Sequence, residues 1–540
     1  MSIPRCELSL GSYLPAVEER LLRFDREGFA ERLWRKDPTL WSEDPVPELA
    51  DRLGWLDLAE ASESDLEEIR SFAASTPARR VLLLGMGGSS LAPEVFARLF
   101  PRDRQLEVLD STHPSAVAAA TARSSSGHTL YVVSSKSGTT VETSSLCAHF
   151  LARERRAHPE RAGERFVAIT DEGTPLEALA REKGFAAVFR APAEVGGRYS
   201  ALSRFGLVPA ALVGVDLGRL LASAAEMAAA CRSSSDNPGL TLGAMLGELA
   251  LAGRDKLTLL ADPALASFPD WLEQLVAESL GKVGRGVVPV AGEGDEPHGA
   301  RSDDRVFVGL RLAGEADPAI TARISRAREA GHPTIEISLE DRLQIGAEIF
   351  RWEAAVAVAG AVLGVQPFDQ PDVQAAKDAA KRAMARTSRD QRSGPSAVGA
   401  GSASLTVAVN DWLAGLDDGD YVAIQAFLDP ASSAAALANL RGALWRRTGG
   451  VVTAGHGPRF LHSTGQLHKG GPDTGRFLQL IDSPAVDVAV PGGEHTFGQL
   501  IRAQAAGDAE ALAERGRRVL VVDLGEGGAS AVGPLIDAIG

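Results

Sequence analysis

Apolar residues three and four apart run through PAVEERLLRF (15–24) and EGFAERLWRK (27–36), the spacing of amphipathic helices, so residues 1–75 read as an N-terminal helical arm. From Arg80 the rhythm changes. VLLLGMG, LEVLD, TLYVVSS, FVAIT and AAVFRAP are short apolar runs, and helical stretches such as SSLAPEVFARLF and TVETSSLCAHFLARE separate them. Continuous apolar strands alternating with helices predict a parallel sheet covered on both faces, and this first unit is placed at 76–215. KLTLLAD, GVVPVAG, DRVFVGLRL and PTIEISL repeat the theme, with PDWLEQLVAESLG and PAITARISRAREAG as helices between them. A helical block spans about 343–386. The polar, Gly/Ser-rich stretch 387–404 reads as a linker, after which DYVAIQAFLD, AALANLRGALWRRTG and VVTAGHGPRFLHS return to strand, helix and strand.

Composition narrows the classes. The formal charge of −15 over 540 residues argues against a nucleic-acid binder, which needs a basic face, yet leaves room for a local anion site. The three cysteines, Cys6, Cys147 and Cys231, are too widely spaced for a disulfide framework or a zinc site. With no basic start followed by an apolar core and no stretch of 18 apolar residues, the expected compartment is the cytoplasm, with no membrane partner.

Two turns carry candidate chemistry. GMGGSS (Gly85–Ser90) ends a strand and opens a helix, where small residues let backbone N–H groups approach an anion at a helix N-terminus. Taken alone it also mimics a dinucleotide fingerprint, with Gly85 and Gly87 followed by Asp110 at the end of the next strand. SSKSGTT (Ser134–Thr140) crowds hydroxyls, a lysine and a glycine into a second such turn, which suits the oxygens of a phosphomonoester. Ligands of parallel sheets sit at the carboxyl ends of the strands, so two neighbouring turns of this kind point to one phosphate cradle.

GMGGSS with SSKSGTT resembles a sugar-isomerase (SIS) domain. GGRYS (Gly196–Ser200), AESLGK (Ala277–Lys282), PFDQPDVQAAK (Pro367–Lys377) and LHSTGQ (Leu461–Gln466) are similar to the glucose-6-phosphate isomerase family, above all to the isomerase portion of bacterial transaldolase–isomerase fusions. The resemblance runs from about residue 15 to the end. It implies an α/β fold of two SIS-type αβα sandwiches with parallel sheets: the first at 76–215, the second at 216–540 with a rearranged C-terminal part. It further implies a homodimer, a sugar phosphate as substrate, and neither metal nor nicotinamide cofactor.

Site residues follow from the same resemblance. Gly88 and Ser89 in the first loop, with Ser135, Lys136, Ser137 and Thr140 in the second, would hold the phosphate, Lys136 mainly through its backbone. Gly197 and Gln370 would touch the sugar. Glu278 would be the base that moves a proton between C2 and C1 through a cis-enediolate, desolvation making it more basic. Arg198 would stabilise the enediolate, and His462 with Lys377 would open the ring. One departure stands out: in ordinary bacterial members the histidine lies between the glutamate and the lysine, whereas here the order is Glu278, Lys377, His462. His468 competes with His462 for the role. A phosphomannose isomerase activity on the same residues and a non-catalytic phosphosugar sensor are the alternatives.

Overall fold

The computed structural model describes residues 3–540 except 61, 102–103, 125–127, 295–302, 373–381 and 383–394. The chain begins with a strand, β1 (Arg5–Ser9), within the stretch expected to be helical. The first sheet follows: β2 (Arg80–Gly85), β3 (Gln105–Leu109), β4 (Thr129–Ser134), β5 (Phe166–Asp171) and β6 (Ala187–Ala191). They lie in the order β3-β2-β4-β5-β6 and every pairing is parallel. Val81–Leu84 are fully buried, which is why this run has no polar alternation: both faces carry helices.

The second sheet holds β7 (Lys256–Ala261), β8 (Val288–Val290), β9 (Arg305–Leu312) and β10 (Thr334–Leu339), in the order β1-β10-β9-β7-β8. β1 joins it antiparallel to β10 and closes that edge. Nothing local signals this strand, because five residues of mixed polarity, RCELS, have no period to read. β11 (Val398–Gly399), β12 (Tyr421–Phe427), β13 (Val451–His456), β14 (Gly475–Ile481) and β15 (Arg518–Asp523) form a third sheet, parallel throughout, in the order β11-β15-β14-β12-β13. The mixed α/β class with parallel sheets thus matches the sequence expectation. The stretch read as a rearranged end of the second unit pairs its strands only with one another, among the described residues.

The core is deepest around the helix Ile345–Leu363, buried on nearly all sides. Its neighbour Pro238–Leu251 approaches through Gly243 and Gly247, where a Cβ would lie 2.5 Å from Val358 and Val362 respectively. Among the described residues no helix is long and apolar enough to cross a membrane.

Candidate active site

Two of the sequence-predicted turns meet where the first sheet ends. Gly85 closes β2, a single 3-10 turn spans Gly87–Ser89, and the helix Leu91–Leu99 begins behind it. Gly88 is packed against the GGRYS turn: a Cβ there would stand 2.0 Å from the carbonyl oxygen of Gly197. Gly87 has φ +53°, and a Cβ on it would lie 2.8 Å from both the Gln274 amide and the backbone oxygen of His462. The glycines therefore let three segments converge. Ser89 at the end of the turn is partly exposed.

The second loop leaves β4. Ser135 is buried, its hydroxyl 3.0 Å from that of Thr140, which precedes the helix Val141–Ala157. Ser137 and Thr139 are exposed, their hydroxyls 2.9 Å apart. Lys136 turns away from the loop: its ammonium pairs with Asp171 and donates to the carbonyl of Ala193 at 3.2 Å. Backbone and hydroxyl groups are what this loop offers an anion.

Glu278 lies on the helix Phe268–Leu280, buried, with Oε1 3.2 Å from Nη1 of Arg198. Arg198 also donates to the Ser279 hydroxyl at 2.8 Å and to the carbonyls of Pro367 (2.6 Å) and Asp369 (2.8 Å). Gln274, one turn before Glu278, donates to Glu278 Oε2 at 2.9 Å and to the His462 carbonyl at 2.7 Å. The catalytic glutamate expected from the sequence and the histidine-bearing segment are thus one amide group apart, although His462 comes late in the chain. The His462 imidazole points the other way along the loop, with Nε2 2.9 Å from Oε1 of the buried Glu142, to which Gln504 also donates at 2.7 Å.

His468 stands elsewhere. It is buried against the rings of Phe460 and Phe477, with Nδ1 3.1 Å from the Gln425 amide. Burial pushes its pKa well below the usual histidine range, as do Lys469 and Arg517. It sits on the short helix Gly465–Gly470 against the third sheet, so of the two candidates His462 is the one whose segment reaches Gln274.

Gln370 is exposed at the end of the turn 366–369. That turn is gripped from one side by Arg198 and by Lys282, whose ammonium donates to the Gln366 carbonyl at 2.6 Å and pairs with Asp369 at 2.7 Å. Burial, reinforced by the Arg198 charge, pushes the Lys282 pKa down to about 7. From the other side Gln466 of LHSTGQ accepts from the Asp372 N–H at 3.0 Å and donates to its carboxylate at 2.7 Å. Lys377 lies outside the described residues.

Sequence reasoning missed Gln274, Glu142, Gln504 and the grip of Lys282. Gln274 carried a signal, since residues four apart share a helix face. Lys282 stood inside the quoted AESLGK. Glu142 follows the hydroxyl loop directly in TTVET, whereas nothing local marks Gln504.

A family model described as Phosphoglucose isomerase matches residues 66–291. The glucose-6-phosphate isomerase of Synechococcus sp. (strain JA-3-3Ab) is 32% identical over 397 residues, covering 63% of this chain and 74% of that protein. That of Symbiobacterium thermophilum is 31% identical, covering 60% of this chain and 85% of the relative. Among solved structures, a hypothetical protein from Thermus thermophilus superposes with a TM-score of 0.62 at 26% identity, over 71% of this chain and all of its own length. A glucose-6-phosphate isomerase from Chlamydia trachomatis gives 0.55 at 20% identity, over 67% and 78%, a likeness of fold. With its loops, its Arg198–Glu278 pair and relatives of this identity and coverage, the chain belongs to the glucose-6-phosphate isomerase family.

Proposed function

We propose that this protein interconverts glucose 6-phosphate and fructose 6-phosphate. The observation that carries the reading is the buried Arg198–Glu278 pair, joined through Gln274 to the His462 segment and set beside the Gly87–Gly88 turn. The phosphate would sit on the loop hydroxyls and N–H groups of Ser89, Ser135, Ser137 and Thr140, where helix N-termini favour negative charge.

Ring opening needs a proton moved between the ring oxygen and the anomeric hydroxyl. With Nε2 of His462 facing Glu142, its N–H is donated there, and Nδ1 is the nitrogen left for the sugar. Lys377 is its partner in this scheme. Glu278 then takes the C2 proton and returns it at C1. The enediolate formed between those steps is stabilised by Arg198, a fixed cation in a site of low exposure. Gln274 and Ser279 hold the two reacting groups in register, and Gln370 meets the sugar from the clamped turn. A homodimer is part of the proposal, although every described group named here comes from one chain.

The test is turnover of fructose 6-phosphate followed through a dehydrogenase specific for glucose 6-phosphate, with deuterium exchange at C2 as a second readout. A purified, folded protein with neither would refute the reading, and equal turnover of mannose 6-phosphate would broaden it.

A further inference from the structure

Asp110, the acid of the dinucleotide-like pattern in the sequence, faces Arg459. It follows β3 at the edge of the first sheet and faces the guanidinium of Arg459, on the loop after β13 of the third sheet, at 3.0 Å. The same nitrogen of Arg459 lies 2.7 Å from Glu94, and its other terminal nitrogen lies 3.6 Å from Asp270. Glu94 is on the helix that starts behind the GMGGSS turn, and Asp270 is in the first turn of the helix that bears Gln274 and Glu278. One side chain from the third sheet therefore reaches both elements that frame the reacting groups. Arg459 also opens the 3-10 turn Arg459–His462, three residues before the histidine.

We infer that Arg459, gripped by Glu94, Asp110 and Asp270, is a positioning residue that sets His462 against the first two sheets. The inference rests on the ring-opening role of His462 proposed above. Apolar packing ties this turn to its own sheet, with Phe460 set against Phe427 and Ile501. A cavity of about 550 Å³ lies beside the ion cluster, bounded by the helices Leu91–Leu99 and Pro430–Thr448 and by the segment from the end of β13 to Ser463. Toward the other two sheets the same turn is met by the ion cluster at Arg459 and by the Gln274 amide at the His462 carbonyl. Three carboxylates converge on this cation, Glu94 being shared with Arg98 at 2.6 Å, so removing Arg459 removes the group that ties Glu94, Asp110 and Asp270 together. Burial pushes the Asp110 pKa up while Arg459 opposes it, and Arg459 itself is held above the usual arginine value by the three acids.

The test compares wild type with Arg459→Met, Arg459→Lys and His462→Asn. Misplacing a group by about 1 Å costs on the order of 100-fold in rate, so Arg459→Met is expected to lower kcat by about that factor. KM should change by less than about threefold, because the hydroxyls proposed to hold the phosphate are not among the described partners of Arg459 and this would be loss of an interaction made in the transition state. Arg459→Lys should recover about tenfold of the loss. In histidine-labelled enzyme the ring nitrogen signals of His462 should shift or broaden in Arg459→Met. The inference is overturned if Arg459→Met leaves both kcat and those signals as in wild type. It is also overturned if kcat falls only in step with the folded fraction and Arg459→Lys recovers nothing. If His462→Asn keeps full kcat, the ring-opening role is lost instead, and the His462 signals in Arg459→Met then judge the positioning on their own. Should Arg459→Met fail to fold, Asp110→Asn replaces it: it keeps the cation, removes one charge from the grip and should still disturb the same signals.

Discussion

Replacing Gly88 by alanine puts one methyl group where two loops of the site touch. The new Cβ would stand 2.0 Å from the Gly197 carbonyl oxygen and 2.3 Å from its carbon, against an ordinary contact of 3.4 Å or more. Both obstacles are backbone atoms, so no side-chain rotation relieves them, and one of the loops must move by over 1 Å. Overpacking of this kind costs about 1–3 kcal/mol. The loops carry the groups proposed to hold the phosphate and the enediolate, and a displacement of about 1 Å costs on the order of 100-fold in rate. Gly88→Ala is therefore expected to lose about two orders of magnitude in kcat/KM in the coupled isomerase assay and to melt lower in a thermal scan. Gly197→Ala is the companion measurement, because a Cβ there meets nothing within 4 Å. It should melt as wild type and lose activity only if the sugar approaches that backbone. A Gly88→Ala protein with wild-type activity and wild-type melting would refute the reasoning, since the close approach would then not be a feature of the working enzyme.

Glu278→Gln should lower kcat by about 10²–10⁴-fold, the range of a lost general base, while a phosphosugar inhibitor still binds with near-native affinity in calorimetry. Glu142→Gln removes the carboxylate that faces His462 Nε2 and should slow turnover of the cyclic sugar far more than C2 proton exchange on an open-chain substrate analogue. Equal effects on both would remove Glu142 from the ring-opening step. For Lys282 the folded pKa of about 7 lies below the unfolded value, so between about pH 7 and 10 the unfolded chain binds the extra proton and stability rises with pH. The stability of wild type relative to Lys282→Met should accordingly increase by about 2 kcal/mol from pH 7 to 9. Urea unfolding of both proteins at the two pH values measures it, and a flat or falling difference would contradict the assignment.

The alternation of strand and helix was legible because each apolar run and each amphipathic helix is encoded within a dozen residues. So were the two small-residue turns, since strand ends and helix starts are local events and the ligand position at strand carboxyl ends follows from parallel topology. β1 was not legible, because RCELS becomes a strand only when β10 offers an edge to pair with. Lys377 falls outside the described residues, so its part stays with the resemblance.

By itself the sequence determined the α/β class and the family resemblance, and it singled out the two small-residue turns, Arg198, Glu278 and the LHSTGQ segment as candidates. Tertiary structure decided what each histidine and each acid faces. His462 and His468 are six residues apart and alike in local context, but the docking of the third sheet brings one to Glu142, whereas the other is buried within that sheet's own unit beside Gln425. Asp110 completes a dinucleotide-like pattern in the sequence and becomes a partner of Arg459 across 349 positions of chain. The physical reason is the same in both cases: local patterning sets backbone conformation, whereas the partner of a polar group depends on which surfaces are packed together, and that is settled only when the three sheets meet.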